Sequence, residues 1–180
     1  RPKEDRYCLV CKTSLSQAGE SKEVEFFQAI INSKSRLTYE KVAEQMKINK
    51  FSDPYAQSLK NLVDIYKILK KAKKNRGALE LDIPFYVPQL KGNKIEKFIN
   101  TSRNEAHLLI EECMLLANIC AAKILMKAKI PSIYRIHPKP DPLKIKNLEG
   151  FARSRKINVT LGDDGKVKEL SNLVDITKDR

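Results

Sequence analysis

The sequence lacks several features that would place it in a common functional class. No secretory segment and no apolar run of transmembrane length lies near either end of the chain. A glycine-rich phosphate-binding loop is absent, and no serine lies in a histidine-containing neighbourhood that would indicate a nucleophile. There is no internal repeat and no low-complexity segment. These absences argue against a membrane-spanning protein, a P-loop nucleotidase and a serine hydrolase.

Metal ligands are also scarce. The four cysteines are Cys8, Cys11, Cys113 and Cys120. Cys8 and Cys11 have CxxC spacing, but a structural zinc site normally uses two tight ligand pairs, so buried and inert thiols in a reducing cytoplasm are predicted. Two adjacent carboxylates occur within 162–165, and the flanking glycines favour a turn over a magnesium site. No metal site is predicted in the chain.

The chain does have a large excess of positive charge. It contains 35 Lys and Arg against 22 Asp and Glu, a net charge of +13, which suits a polyanionic partner such as nucleic acid or a membrane surface. Its 180 residues, 42% of them hydrophobic, are enough for one domain with a core. The most basic stretch is the end of a predicted helix, where the charge either is simply solvated, stabilises the helix dipole or contacts phosphates. Its cations are Lys60, Lys67, Lys70, Lys71, Lys73, Lys74 and Arg76.

The pattern of apolar residues predicts a mixture of helices and antiparallel strands, an α+β fold. Predicted strands are Arg6–Thr13, Lys22–Ile31, Ala78–Ile83, Phe85–Leu90, Lys94–Ile99 and Ser132–His137. Predicted helices are 39–47 after the N-cap Thr38, 53 or 54 to 75 ended by Gly77, 104–128, about 143–155, and a last one near the C-terminus.

The segment Asn104–Ala128 is predicted to be a long buried central helix packed on the strands, because apolar residues occur on nearly every side of it. Asn104, His107, Glu111 and Asn118 nevertheless form one polar stripe along it. A carboxylate among apolar residues is costly unless it is paired or hydrogen-bonded. Two interpretations stay open: Glu111 pairs with a cation or reaches water, or the stripe lines a channel and accepts hydrogen bonds from a ligand.

Several segments in collinear order resemble one family. They are AIINSKSRLTY (29–39), NRGAL (75–79), RNEAHLLIEECMLLAN (103–118) and YRIHPKP (134–140). Together they are similar to the RNB catalytic domain of exoribonucleases of the ribonuclease R and ribonuclease II type. The similarity extends over nearly the whole chain, which makes it more specific than any single motif.

The resemblance implies a processive enzyme that threads single-stranded RNA 3′ end first into a channel and hydrolyses it to nucleoside 5′-monophosphates. In that family an Asp cluster binds Mg²⁺, which activates water. By family order that cluster would precede Arg1 and a catalytic Arg would follow Arg180. Residues 1–180, which start without Met, are thus expected to be the central part of an RNB domain, to lack the flanking cold-shock and S1 domains, and to be inactive alone.

The expected partner is single-stranded RNA, in a bacterial cytoplasm, with no membrane association and no obligate protein partner. A non-catalytic RNA-binding homologue of the same fold is the alternative, and a basic protein-interaction module is a third possibility. Salt-dependent RNA binding would separate the last from the other two.

Two positions that match the family motifs are implied to lie near the RNA ribose. They are Tyr39, which ends the RLTY motif, and Glu111, the first Glu of the IEEC motif. A carboxylate there can accept a hydrogen bond from a 2′-hydroxyl, which DNA lacks. Tyr39 adds a donor or a stacking face, or simply packs. His107 and Asn118 are expected to orient Glu111, or to be hydrogen-bonded core groups.

Two further RNA contacts are expected from the segment after the basic helix. Leu81 matches a position where relatives often carry a Phe that clamps the terminal bases, and leucine does not stack in the same way. Either the clamp is weaker here or Phe85 or Tyr86 replaces it, since stacking is worth about 1–3 kcal/mol per base. Arg76, beside Gly77, is the expected phosphate contact.

Overall fold

A computed structural model of the chain describes residues 3–51, 54–81, 83, 85–136, 138–162 and 167–177. Within them, helices and antiparallel hairpins alternate, which confirms the predicted α+β class. The elements are β1 (Asp5–Leu15), β2 (Ser21–Asn32), α1 (Tyr39–Lys47), α2 (Ala56–Asn75), β3 (Phe85–Lys91), β4 (Lys94–Thr101), α3 (Glu105–Lys127), α4 (Pro142–Ser154) and α5 (Val167–Thr177).

Two predicted strands do not form. Residues 78–81 and 83, and residues 132–136, adopt no regular strand, while Asp82 and His137 lie outside the described residues. A strand needs a partner for its backbone groups, and in the described part of the chain β1 pairs only with β2 and β3 only with β4. The apolar side chains of these segments, Leu79, Leu81, Ile83, Ile133, Tyr134 and Ile136, remain exposed, so their alternation reflects neither strand pairing nor burial within the described residues.

Local sequence signals explain where the helices begin and end. The Thr38 hydroxyl accepts a hydrogen bond from the Lys41 amide and so caps α1. After α2, Gly77 has φ +68°, and the amides of Gly77 and Ala78 donate to the carbonyls of Lys74 and Lys73 over 2.9 and 3.2 Å. This pair of bonds is a Schellman motif, which glycine forms without steric cost.

The chain divides into two compact units. The first contains Arg1–Ala72 and Ile83–Ser132, and the second contains Lys73–Asp82 and Ile133–Arg180. In the first unit, α2 packs on α3 through Val63, Tyr66 and Leu109. α3 also lies against α1 and the β1–β2 hairpin, as predicted for the central helix.

Burial of α3 is one-sided. Ala106, Leu109, Glu112 and Cys120 are buried, and they lie on one side of the helix. Ile110, Met114, Leu115, Ile119 and Met126 are exposed on the other side. α3 thus combines a packed side with an apolar side that the described residues leave open.

The second unit has an aliphatic core formed by Ile145 and Ala152 of α4, Leu173 of α5, and Leu161 between the two helices. The Leu161 amide donates a 2.6 Å hydrogen bond to the Glu149 carboxylate of α4, which fixes the segment that follows this helix. An apolar cleft of about 430 Å³ opens beside this core. Its lining includes Leu79, Leu81, Leu148, Phe151, Leu170 and Val174.

Candidate functional site

The polar residues at the start of α3 are held by the helix cap. The Asn104 carboxamide oxygen accepts hydrogen bonds from the amides of Ala106 and His107, each over 3.1 Å. The His107 ring closes the capping box, with Nδ1 2.8 Å from the Asn104 Oδ1 and 3.4 Å from its backbone nitrogen. The cap therefore sets the position of the His107 ring as well as the start of the helix.

Tyr39 reaches this cap from another helix. Its ring stacks on His107 with centroids 3.9 Å apart and planes 16° from parallel. Tyr39 is the first residue of α1, directly after the cap Thr38, so both stacked rings come from helix N-termini. Tyr39 keeps 42% of its surface exposed, which leaves part of the ring available to a ligand.

Glu111 lies one helical turn beyond His107 and is held by Arg103. An Arg103 Nη1 donates to a Glu111 carboxylate oxygen over 2.8 Å, and the two side chains are 33% and 34% exposed. This ion pair is the contact that the structural interpretation of Glu111 predicted. It is compatible with ligand binding too, since a carboxylate accepts about four hydrogen bonds and this one lies at the surface.

The polar stripe lies in the middle of the open side of α3. At about 100° per residue, Asn104, His107, Glu111 and Asn118 fall within about 60° of one another. Exposed Ile110 and Met114 flank the stripe on one side, and exposed Leu115 and Ile119 flank it on the other. A row of hydrogen-bonding groups bordered by apolar side chains is suited to a sugar, which has hydroxyls and an apolar ring.

The structure brings together only part of the predicted site. Tyr39 and His107 stack at the start of α3 and Glu111 lies one turn further along, whereas Asn118 is exposed about 10 Å beyond Glu111. His107 contacts Asn104 and Tyr39, and Glu111 is contacted by Arg103, which the sequence analysis did not consider. Its place directly before the N-cap in the segment 103–118 is the signal that could have found it.

A narrow apolar cleft of about 140 Å³ borders this site within the first unit. Tyr39 and Ile110 form part of its wall, so it adjoins both the stacked rings and the polar stripe. Its other lining residues are Leu37, Thr38, Val42, Leu59, Leu62, Ala106 and Leu109.

The start of α3 is also fixed to α2. Glu105 accepts a 2.7 Å hydrogen bond from the Tyr66 hydroxyl and a 3.0 Å one from the Lys70 ammonium. Burial opposes ionisation of this carboxyl, but the bonds from Tyr66 and Lys70 outweigh it and lower the pKa of Glu105 below its ordinary value. This network is structural, and it keeps the site-bearing end of α3 in place.

Arg76 and Leu81 belong to the second unit. Arg76 is exposed just after α2. Leu81 is 47% exposed and lines the apolar cleft of that unit together with Phe151, an aromatic residue that the sequence analysis did not single out. Phe151 lies among apolar residues at helical spacing in α4, a pattern that indicated only packing. Phe85 and Tyr86, the predicted replacements for the clamp, are exposed on β3 in the first unit.

The described residues do not fit a magnesium centre. Within them, no group of three or more Asp, Glu, His or Cys residues is arranged to hold a metal ion. The paired aspartates within 162–165 lie outside the described residues. No chemical step is therefore assigned here to a metal held by this part of the chain.

All four cysteines are free thiols, but only Cys120 is buried, so the prediction of buried thiols is wrong for the half-buried Cys8, Cys11 and Cys113. Burial, reinforced by the neighbouring Cys120, raises the pKa of Cys11. Burial and the nearby Glu112 charge raise the pKa of Cys113. A raised pKa leaves less thiolate, which suits the prediction of inert thiols.

Among the helices in the described ranges, none has the length and apolar character needed to cross a bilayer.

Comparison with known proteins identifies the family of the chain. The pattern of the RNB domain family matches residues 1–179, and the chain belongs to that family. Among individual relatives, the chain is 33% identical over 185 residues to ribonuclease R of Escherichia coli K12, a match that covers 99% of the chain and 23% of the relative. It is 37% identical over 159 residues to ribonuclease R of Vibrio parahaemolyticus, which covers 83% of the chain and 19% of that relative.

The chain thus spans about a fifth of the length of these curated relatives. The same fold occurs in a solved structure of Mycoplasma genitalium RNase R in complex with ribose methylated single-stranded RNA. The TM-score is 0.90 at 23% identity, over 99% of this chain and 29% of that one.

Proposed function

We propose that residues 1–180 form the central part of the RNB catalytic domain of a processive 3′→5′ exoribonuclease, and that the start of α3 contacts the ribose of single-stranded RNA. Family membership and the two ribonuclease R relatives support the activity. The net charge of +13 supports a polyanionic substrate. The products would be nucleoside 5′-monophosphates.

One observation carries the assignment of the site. The Tyr39 ring and the Glu111 carboxylate are both fixed at the surface of the same end of α3, one by stacking on His107 and the other by Arg103. Neither side chain has to be ordered by the ligand, so little conformational entropy is lost on binding.

The chemistry of this pair suits an RNA sugar. The Glu111 carboxylate accepts a hydrogen bond from a 2′-hydroxyl, and the exposed part of the Tyr39 ring offers an apolar surface and a phenolic hydroxyl. With DNA the carboxylate would lose its hydrogen bond and keep the cost of partial desolvation. Preference for RNA over DNA follows from that difference.

The remaining parts of the enzyme would come from outside the described residues. Mg²⁺ would be bound by carboxylates elsewhere in the full-length protein, and cold-shock and S1 domains would flank the RNB domain, so residues 1–180 alone would not cleave RNA. Arg76 would contact a phosphate, and Leu81 would take part in a weakened base clamp. Four free thiols support a cytoplasmic location.

The test compares Glu111→Ala with wild type in the full-length protein, using kcat/KM on matched RNA and DNA oligomers. Loss of a hydrogen bond to a charged acceptor should lower the preference for RNA by about 10- to 100-fold. Glu25→Ala is the control, because Glu25 is also an ion-paired glutamate, 3.7 Å from Lys12, but lies on β2. Its preference should equal that of wild type.

Three outcomes would contradict the proposal. An unchanged preference in Glu111→Ala would remove the ribose contact. A wild-type protein that binds RNA without degrading it in the presence of Mg²⁺ would instead be the non-catalytic homologue. RNA affinity that does not fall with added salt would exclude both forms of RNA binding.

A further inference from the structure

Tyr39 depends on α3 for its position. It is the first residue of α1, where a side chain has few neighbours within its own helix, and it stays 42% exposed. The contact that defines its ring plane is the stack on His107, at 3.9 Å and 16°. A stacked neighbour restrains a ring on one face and leaves the opposite face uncovered.

The His107 ring is in turn fixed by the cap of α3. Its Nδ1 lies within hydrogen-bonding distance of the Asn104 side chain, at 2.8 Å, and the same Asn104 oxygen accepts the His107 amide. The ring therefore moves only if the helix start moves. Glu111 lies four residues further on, on the same side of α3.

We propose that His107 is a positioning residue that holds the Tyr39 ring at the sugar-binding end of α3, beside the turn that carries Glu111. The inference rests on the proposed ribose contact and adds a specificity determinant to it. His107 does not touch the substrate. It acts by keeping Tyr39 in the orientation that a ribose meets, and so contributes to the preference for RNA.

The competing explanation is that His107 only caps the helix. Two substitutions separate positioning from capping. His107→Phe keeps an aromatic ring to stack on Tyr39 but loses the ring nitrogen. His107→Gln keeps a polar group for the Asn104 cap but loses the ring. Positioning requires the ring, and capping requires the polar atom.

The measurement uses the full-length protein and two oligomers of one sequence, all-RNA and an RNA with 2′-deoxy sugars at its 3′ end. The ratio of their kcat/KM values reports recognition of the sugar, and the value for the deoxy oligomer reports folding. We expect His107→Gln to lower the ratio about 3- to 10-fold. His107→Phe, which keeps the ring, should have a ratio within about twofold of wild type.

A double substitution completes the test. If His107 acts through Tyr39, then Tyr39→Ala combined with His107→Gln should lower the ratio no further than Tyr39→Ala alone. The inference is overturned if His107→Phe is the harmful variant and His107→Gln is harmless, or if the two losses simply add. If His107→Gln does not fold, the test compares His107→Phe with Tyr39→Ala. A kcat/KM ratio for His107→Phe as low as that for Tyr39→Ala would overturn the inference.

Glu111→Ala distinguishes failure of the proposed ribose contact from failure of the positioning role of His107. If that variant keeps the wild-type ratio, the proposed ribose contact itself is wrong. If it lowers the ratio while His107→Gln leaves it unchanged, the ribose contact stands and only the positioning role of His107 is rejected.

Discussion

Both compact units have an apolar core, but the first unit also has a network of polar contacts at one end of α3. In the first unit, Glu105 at the start of α3 bonds to Tyr66 and Lys70 of α2, and Glu111 pairs with Arg103, the residue before the cap of α3. In the second unit, α4, α5 and the segment between them meet through an aliphatic core whose members are nearly all apolar.

This difference shows where a ligand site is easiest to build. Hydrogen bonds and ion pairs fix the direction of a side chain, whereas apolar packing fixes mainly its volume. The candidate ribose contacts lie in the first unit, where direction is controlled. The second unit should accordingly respond to changes in volume, and the first to changes in polar groups and pH.

Truncation in the aliphatic core should have the largest effect. Leu161 has no exposed surface, and Leu161→Ala should lower the free energy of unfolding by about 2–5 kcal/mol, through lost burial and a new cavity. Urea unfolding followed by circular dichroism measures it. Leu143→Ala on the exposed side of α4 is the control, expected within about 0.5 kcal/mol of wild type. Equal losses would mean that the second unit lacks the core described here.

A glycine pair tests the packing of the second unit more finely. Gly77 and Gly92 both have positive φ, +68° and +61°, but a Cβ on Gly77 would lie 3.0 Å from the Lys168 Cα, while nothing lies within 4 Å of one on Gly92. Gly92→Ala should cost about 1–2 kcal/mol from the backbone conformation alone. Gly77→Ala should cost about 2–4 kcal/mol, because overpacking is added. If the two substitutions lower the free energy of unfolding equally, α5 must shift away from the Cβ added at position 77 without cost.

Removal of one hydroxyl should weaken the first unit in a pH-dependent way. Tyr66→Phe deletes the bond to Glu105 and should cost about 1.5–3 kcal/mol near pH 7. The pKa of Glu105 is lowered from its ordinary value of 4.5, so this stabilisation is complete above 4.5 and disappears as pH falls through the folded pKa.

The check for Tyr66 is urea unfolding at pH 7 and at pH 3. The difference between wild type and Tyr66→Phe should be smaller at the lower pH, because Glu105 takes up a proton as pH falls through its lowered folded-state pKa. Tyr86→Phe, at an exposed position on β3, should show no difference at either pH. A difference that stays constant with pH would mean that lost packing, and not the charged hydrogen bond, causes the effect.

The smallest effect is expected at a solvated ion pair of α2. Lys67 and Asp64 lie 3.0 Å apart with 67% and 56% of their side chains exposed. Asp64→Asn should change the free energy of unfolding by less than about 0.5 kcal/mol, because exposed pairs are screened by water and salt. A loss as large as that of Tyr66→Phe would remove the distinction between surface charge and the fixed network at α3.

Helix ends were predictable wherever a local signal was present. α1 begins after Thr38 and α2 ends before Gly77 because a hydroxyl cap and a left-handed glycine act within a few residues of themselves. The strand predicted at Ala78–Ile83 failed because its alternation carries no information about a pairing partner.

The candidate site was predictable only in part. Family motifs pointed to Tyr39 and Glu111, and helical spacing placed His107 and Glu111 on one face of α3. The stack between Tyr39 and His107 joins residues far apart in sequence, so no local pattern reveals it. The role of these residues in RNA binding stays a prediction.

By itself, the amino-acid sequence determined the family, the helical segments and the polar stripe of α3, because these depend on motifs, caps and periodicity along a short stretch of chain. Only the tertiary structure decided which side of α3 is buried and that the Tyr39 ring stacks on His107. Those contacts arise when separate elements pack, and packing depends on the shape and charge of surfaces that meet only in the folded chain.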